Sequence, residues 1–129
     1  MTKQQREKKL HKAVCTYIKA QYPDVIFTSD QSGLKVSIGV ATYLKATRSP
    51  SRGLPDIIIL HPNRTYCGLM LELKTSREEV FTKSNKYRND QHTQEQRETL
   101  QRLLARGYKA AYGFGFDHAK QIIDEYMQL

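Results

Sequence analysis

A chain of 129 residues has room for one domain with a real core and not for two. Its 21 Lys and Arg against 13 Asp and Glu give a formal charge of +8 and a pI near 9.6, a balance that suits a polyanionic partner. No stretch approaches the ~18 apolar residues of a membrane span, the first residues lack an apolar signal region, and Cys15 and Cys67 are too few for a disulfide scaffold, so the expectation is a soluble cytoplasmic protein.

Residues 3–21 read as a helix with Leu10, Val14, Tyr17 and Ile18 on one stripe. Residues 1–22 carry six basic side chains and a single acid, Glu7. Tyr22-Pro23-Asp24 stops this helix, and Val25 to Thr28 is a short strand. Residues 36–47 alternate like a strand at Val36, Ile38 and Val40. Ser37 as a cap and the spacing of Ile38, Ala41, Leu44 and Lys45 tip the reading to a helix. Arg48 to Gly53 is a loop, and residues 31–55 hold Lys35, Lys45, Arg48 and Arg52 with no acid.

Asp56 opens the apolar run Ile57 to Leu60, and Glu72 and Lys74 close the run Gly68 to Leu71. The turn signal His61-Pro62-Asn63-Arg64 between them makes a strand hairpin. From Thr75 to Gln91 the chain is polar and poorly periodic and reads as an exposed loop carrying Arg77, Lys83, Lys86 and Arg88. A helix from Thr93 to Arg106 follows, with Leu100, Leu103 and Leu104 inward and Gly107 at its C-terminal end. Lys109 to Phe114 is another strand, and Asp117 to Met127 a closing helix. The order predicts a single α/β domain over residues 1–129, built on one mixed sheet.

In an antiparallel hairpin centred near Arg64, positions equidistant from it face each other, which sets Asp56 opposite Glu72. Glu72 and Lys74 share a strand face, while Leu71 and Leu73 point the other way. Two acids and a lysine on one face of a greasy hairpin are costly unless something binds there. A hard divalent cation held by oxygen ligands is the candidate. Singly, each residue has a plainer reading: a turn carboxylate after Pro55, and strand-edge charges that deter aggregation. Thr93 and Gln96 likewise fit a capping box. His11, His61, His92 and His118 lack ligand spacing, so exposed or hydrogen-bonded imidazoles are the default.

Pro55-Asp56 with Glu72-Leu73-Lys74 resembles the PD-(D/E)XK nuclease superfamily. Arg52-Gly53-Leu54-Pro55-Asp56, the Glu-Leu-Lys, and Gln96 ahead of Leu100, Leu103 and Gly107-Tyr108 narrow the resemblance to its VRR-NUC branch, which includes stand-alone phage and bacterial nucleases. The resemblance runs from the first helix to the 109–114 strand. It implies a restriction-endonuclease-like core, a metal-dependent endodeoxyribonuclease with Mg²⁺ or Mn²⁺ on Asp56, Glu72 and the Leu73 backbone carbonyl, and catalytic roles for Asp56, Glu72, Lys74 and Gln96. It also implies Glu7 as a further metal carboxylate, although an i to i+4 helix partner is the local reading of that residue. Homodimers acting on branched DNA such as four-way junctions are implied for the stand-alone members. Lys8, Lys12, Arg52, Lys83, Lys86 and Arg88 are placed to meet DNA phosphates. The rival readings are a non-specific or nicking nuclease, and a catalytically silent DNA-binding module.

Overall fold

A computed structural model describes residues 1–30, 36–50 and 53–129. Strands β1 (Phe27–Ser29), β2 (Ile57–Ile59), β3 (Leu69–Lys74) and β4 (Lys109–Phe114) form one sheet in that order. The first two pairings are antiparallel and the third is parallel. A parallel pair needs a long return path, and helix α3 (Gln91–Ala105) supplies it between β3 and β4. The other helices are α1 (Lys3–Gln21), α2 (Ile38–Ala46) and α4 (Gly115–Gln128).

The period-2 alternation of the strands divides the core. Ile57, Ile59, Leu69, Leu71 and Leu73 pack with Val14 and Ile18 of α1 and with Ala119, Ile123 and Tyr126 of α4. Met70 and Ala110 face the other way and meet Leu100 of α3, with Ile58 packed against them. The result is a three-layer domain in which a mixed sheet lies between helices. Two hydroxyls fasten α1 to α4: Tyr17 and Tyr22 both donate to Asp124 Oδ1, at 2.6 and 2.7 Å. Lys120 holds the second oxygen at 3.0 Å.

The hairpin register follows the turn. Ile57 pairs with Leu71 and Ile59 with Leu69, as a turn centred near Arg64 requires. Asn63 shapes that turn: its Oδ1 accepts from the Thr65 and Tyr66 amides, and its side-chain amide donates to the Tyr126 carbonyl at 3.0 Å. Residues 38–46 are helical, and Ser37 Oγ caps them by accepting from the Val40 amide at 3.2 Å.

Three expectations are corrected. The first strand spans Phe27–Ser29 rather than Val25 to Thr28, because only there does the chain run in register with Ile57–Ile59. Leu104 does not point inward and is 44% exposed, since the core stripe of α3 runs through Thr93, Gln96, Leu100 and Leu103 and passes it by. The 75–91 segment is not a bare exposed loop. It makes a 3-10 turn at Arg77–Glu79, buries Val80 completely, and bridges Phe81 to Tyr87. The Phe81 ring contacts Tyr87 and Phe114, and the Arg77 guanidinium lies 4.2 Å over it, so aromatic packing holds a polar stretch down.

Gly53 leads into the Pro55-Asp56 segment with φ +72, a left-handed backbone that side chains disfavour. A Cβ there would stand 2.8 Å from the Gln96 backbone nitrogen and 2.9 Å from its Cα. Glycine therefore lets this segment lie directly on α3. Gly53→Ala is expected to destabilise the protein by about 1–3 kcal/mol. Gly39→Ala, in an exposed helix with nothing within 4 Å of its Cβ, should stabilise it by about 0.5–1 kcal/mol. Urea denaturation of both variants checks the pair.

Candidate active site

Asp56 follows the buried Pro55 at the mouth of β2, and Glu72 lies near the end of β3. The Asp56 carboxylate is fixed from across the hairpin: its Oδ2 accepts from the Leu73 amide at 2.8 Å. Its carbonyl accepts from the Asp30 amide at 2.8 Å, which carries the β1–β2 pairing one residue further. Glu72 is 3% exposed. Its Oε1 accepts from Gln96 Nε2 at 2.7 Å, whereas Glu72 Oε2 and Gln96 Oε1 are buried with no partner.

This geometry separates the two readings of Gln96. The N-cap of α3 is Asp90, whose Oδ1 accepts from the Thr93 amide at 2.8 Å and whose Oδ2 accepts from the Thr93 hydroxyl at 2.9 Å. Thr93 is thus capped rather than capping. Gln96, one turn further on, is buried and turned to Glu72 instead of to the helix end.

A cleft of about 460 Å³ opens over these groups. Asp56, Glu72, Leu73, Lys74 and Gln96 form part of its wall, and α1 contributes Glu7, Lys8, His11 and Lys12. The strand hairpin, the 3.6-residue repeat of α1 and the α3 helix therefore bring most of the sequence-predicted residues to one place. Glu7 also keeps its local partner, with Lys3 Nζ 3.9 Å away. Lys83 and Lys86 lie away from the cleft wall, on an exposed hairpin tip. Thr82 donates to the Lys86 carbonyl there, and Asn85 turns through a left-handed φ of 59. Arg88 is partly committed to the fold, since its Nε donates to the Glu78 carbonyl. Arg52 lies outside the described residues.

Sequence reasoning missed Asp30 and His11. Asp30 lines the cleft, pairs with Arg48 at 2.7 Å, and adds negative charge beside Glu72. It sits just beyond β1 and next to Asp56, a neighbour relation visible only once β1 is in register with β2. His11 lines the cleft with its Nε2 buried and unpartnered, against the default expected for the histidines. Its one local signal is its spacing of four from Glu7, which puts both on one face of α1. His118 does follow the default: its Nδ1 accepts from the Phe114 amide at 3.0 Å.

The electrostatics mark Glu72. Burial, then the negative charge of Asp56, pushes its carboxyl well above the usual range; Lys74 pulls the other way and Asp30 adds to the rise. On the adjoining strand Tyr112, the register partner of Glu72, is pushed up to about 12 by burial and then by the Glu72 charge. Among the described residues no three His, Cys, Asp or Glu side chains group closely enough to hold a metal ion by themselves. A cation here would draw on Asp56, Glu72, a main-chain carbonyl and water. That mixed oxygen shell suits Mg²⁺ and Mn²⁺, and the orphaned Glu72 oxygen is the kind of donor it uses.

Fold and cleft together define a restriction-endonuclease-like α/β domain with an acidic pair and a lysine at the end of its central hairpin. Among solved structures the chain resembles one described as "VRR_NUC domain protein", with a TM-score of 0.58 over 93% of this chain and 89% of that one. The two are 22% identical, so the likeness is one of fold, and it agrees with the family resemblance drawn from the motifs. No family model and no curated protein matches the sequence.

The raised Glu72 carboxyl has a direct consequence for stability. The folded protein holds this proton more tightly than the unfolded chain does, so stability falls as pH rises from the ordinary carboxyl value of 4.5 through the higher folded one. Glu72→Gln keeps an oxygen for Gln96 and removes the charge. Thermal melts of metal-free protein between pH 4.5 and 8 should show a smaller decline for this variant. At pH 8 it should be the more stable by roughly 1–3 kcal/mol.

Proposed function

We propose that the protein is a divalent-metal-dependent endodeoxyribonuclease that hydrolyses phosphodiester bonds in the cytoplasm (of the host, if the chain is phage-encoded). The observation that carries this reading is the buried Glu72 carboxyl with one orphaned oxygen, pressed against Asp56 in an open cleft beside Lys74. Leaving a buried polar atom unsatisfied costs about 1–3 kcal/mol, and a carboxylate pair adds repulsion. A site kept at that cost fits a bound cation better than a structural role. A catalytically silent DNA-binding module offers no reason for two carboxylates to face phosphates.

Asp56, Glu72 and the Leu73 carbonyl would hold Mg²⁺ or Mn²⁺; Glu7 on the α1 wall does not group closely with the other two carboxylates and would act only through water. When bound, the ion would polarise both the attacking water and the phosphate. The chain's own residues supply the remaining positioning. The Leu73 amide fixes the Asp56 carboxylate, and Gln96 fixes Glu72 while keeping its second oxygen available. Lys74 at the cleft wall orients the water and offsets the charge that develops on the phosphate. Lys8 and Lys12 on the rim, with Lys83 and Lys86 on the hairpin tip, would grip flanking phosphates. Arg88 would contribute with the guanidinium nitrogens that its bond to Glu78 leaves over.

Asp56→Ala and Lys74→Ala should each lower cleavage by at least ~10²-fold while leaving the fold and much of the DNA affinity intact. Excess EDTA should abolish cleavage, and Mg²⁺ or Mn²⁺ should restore it. The assay is cleavage of linear, flap and four-way-junction DNA with and without each metal. Near-full turnover by either folded variant, or full activity in EDTA, would remove the site assignment.

The protein is further proposed to act as a homodimer on branched DNA, since one 15.0 kDa domain offers little surface to grip two duplex arms. The described residues make up the cleft-bearing domain alone, so the proposal assigns its selectivity to DNA shape. Sedimentation should give a dimer at assay concentration, with four-way DNA bound more tightly than linear duplex. Binding should weaken with salt by close to ~0.9 units of log-log slope per phosphate neutralised. Neutralising Lys8, Lys12, Lys83 or Lys86 should reduce that slope for all sequences alike.

A further inference from the structure

Hydrolysis of a phosphodiester needs three things: a nucleophile, charge stabilisation, and a proton for the departing oxygen. Asp56, Glu72, Lys74 and Gln96 attend to the first two and leave the third unassigned. We propose that His11 is the general acid, donating its Nε2 proton to the oxygen that leaves the scissile phosphate; the proposal rests on the nuclease reading of the cleft.

Among the described residues, three buried, unpartnered side-chain atoms belong to the cleft wall. Two of them, Glu72 Oε2 and Gln96 Oε1, are oxygens, which a hard cation or a water can use. The third, His11 Nε2, is a nitrogen that can carry and give up a proton, and imidazole is the side chain most used for that task. A second metal site around His11 is not favoured. Mg²⁺ and Mn²⁺ prefer oxygen donors, and among the described residues no third ligand joins His11 and Glu7. Lys8 and Lys12 on the same helix are exposed, and their hydrated ammonium groups suit phosphate contact better than proton delivery.

Position favours the same role. In displacement at phosphorus the attacking and leaving oxygens stand roughly in line on opposite sides. Lys74, which attends the attacking water, comes from the end of β3, whereas His11 comes from α1 on another wall of the cleft. A phosphate held between them presents one side to each. The Tyr17 and Tyr22 bonds to Asp124 hold α1 in place, so this imidazole belongs to a fixed helix rather than to a loop.

The step balances. Water oxygen forms the new P–O bond, the bridging P–O bond breaks, and its electron pair stays on the departing oxygen. That oxygen takes the Nε2 proton of the imidazolium, leaving neutral imidazole. The proton lost by the attacking water passes to solvent, and the imidazole regains one from solvent before the next turnover.

The test replaces the leaving oxygen by sulfur. A thiolate departs without protonation, whereas an alkoxide does not. Wild-type protein, His11→Ala and His11→Gln are assayed with Mn²⁺ on four-way DNA and on the same DNA with a bridging phosphorothiolate at the mapped cut. Both variants should cut the oxygen substrate at least ~10²-fold more slowly than wild type and the sulfur substrate at close to the wild-type rate. The ratio of the two rates is read within each variant, so any loss of folded protein cancels. Equal slowing of both substrates, or no slowing of either, overturns the proposal. Asp56→Ala should be slow on both substrates, and it reports separately on the nuclease reading. If wild-type protein cuts neither these substrates nor linear and flap DNA, that reading falls and this proposal with it.

Discussion

A carboxylate that is 3% exposed organises this molecule. Glu72 sits in the strand that carries most of the core, where every other residue of β3 up to Leu73 is apolar and buried. A charge in such a place is costly unless its surroundings answer it. Here the answer comes from the Gln96 amide on α3, from the Lys74 charge two residues on, and from the open side of the cleft. Asp56 and Asp30 make the cost larger, not smaller. A fold selected for stability alone would put a leucine at this position.

The rest of the architecture works to keep that arrangement accurate. Gly53 lets the Asp56 segment touch the α3 backbone at Gln96, so the two groups flanking Glu72 are placed by direct contact. The segment from Thr75 to Asp90 joins Lys74 to the start of α3. Glu79 accepts from the Thr75 amide at 2.8 Å and meets Lys3 of α1 at 3.6 Å, and Asp90 caps the helix. A stretch that connects two parts of the site is held to the body by Val80 and by the Phe81, Tyr87 and Phe114 rings. Disturbing this packing would be felt in the site even though none of these residues belongs to it.

Charge is distributed with the same logic. The chain is basic overall at +8, yet the cleft floor gathers Asp30, Asp56 and Glu72, while Lys8 and Lys12 stand at its edge on α1. On the proposed function, a polyanion would be drawn by the outer field and repelled by the acidic floor unless a cation intervened. Metal occupancy would then be a condition for phosphate to settle. The same two-part pattern explains why neutralising rim lysines should alter affinity, whereas changing the floor should alter turnover.

Much of this was legible in the chain. The hairpin register could be read because a turn centre fixes which positions face each other, and side chains alternate strictly along strands. Asp56, Glu72 and Lys74 were therefore placed together correctly, and α1 and β4 were bounded as observed, since their periodicity is unbroken. Gln96 was ambiguous, because local capping chemistry and a distant partner make the same demand on a glutamine. Only the packing of α3 on the sheet, with Asp90 taking the cap, turned it to Glu72. The 75–91 segment reads as a plain loop in sequence because its anchors follow no helix or strand period: Phe81 packs on Tyr87 within the segment and on Phe114 far along the chain. Asp30 carries no sequence signal, and the spacing of four that sets His11 on the Glu7 face of α1 does not distinguish a wall of a cleft from open solvent. Periodicity and turn chemistry are properties of neighbours in sequence, so the chain alone determined its elements and the pairing across one hairpin. Which buried atoms lack partners is a property of neighbours in space, and only the assembled three layers decided it.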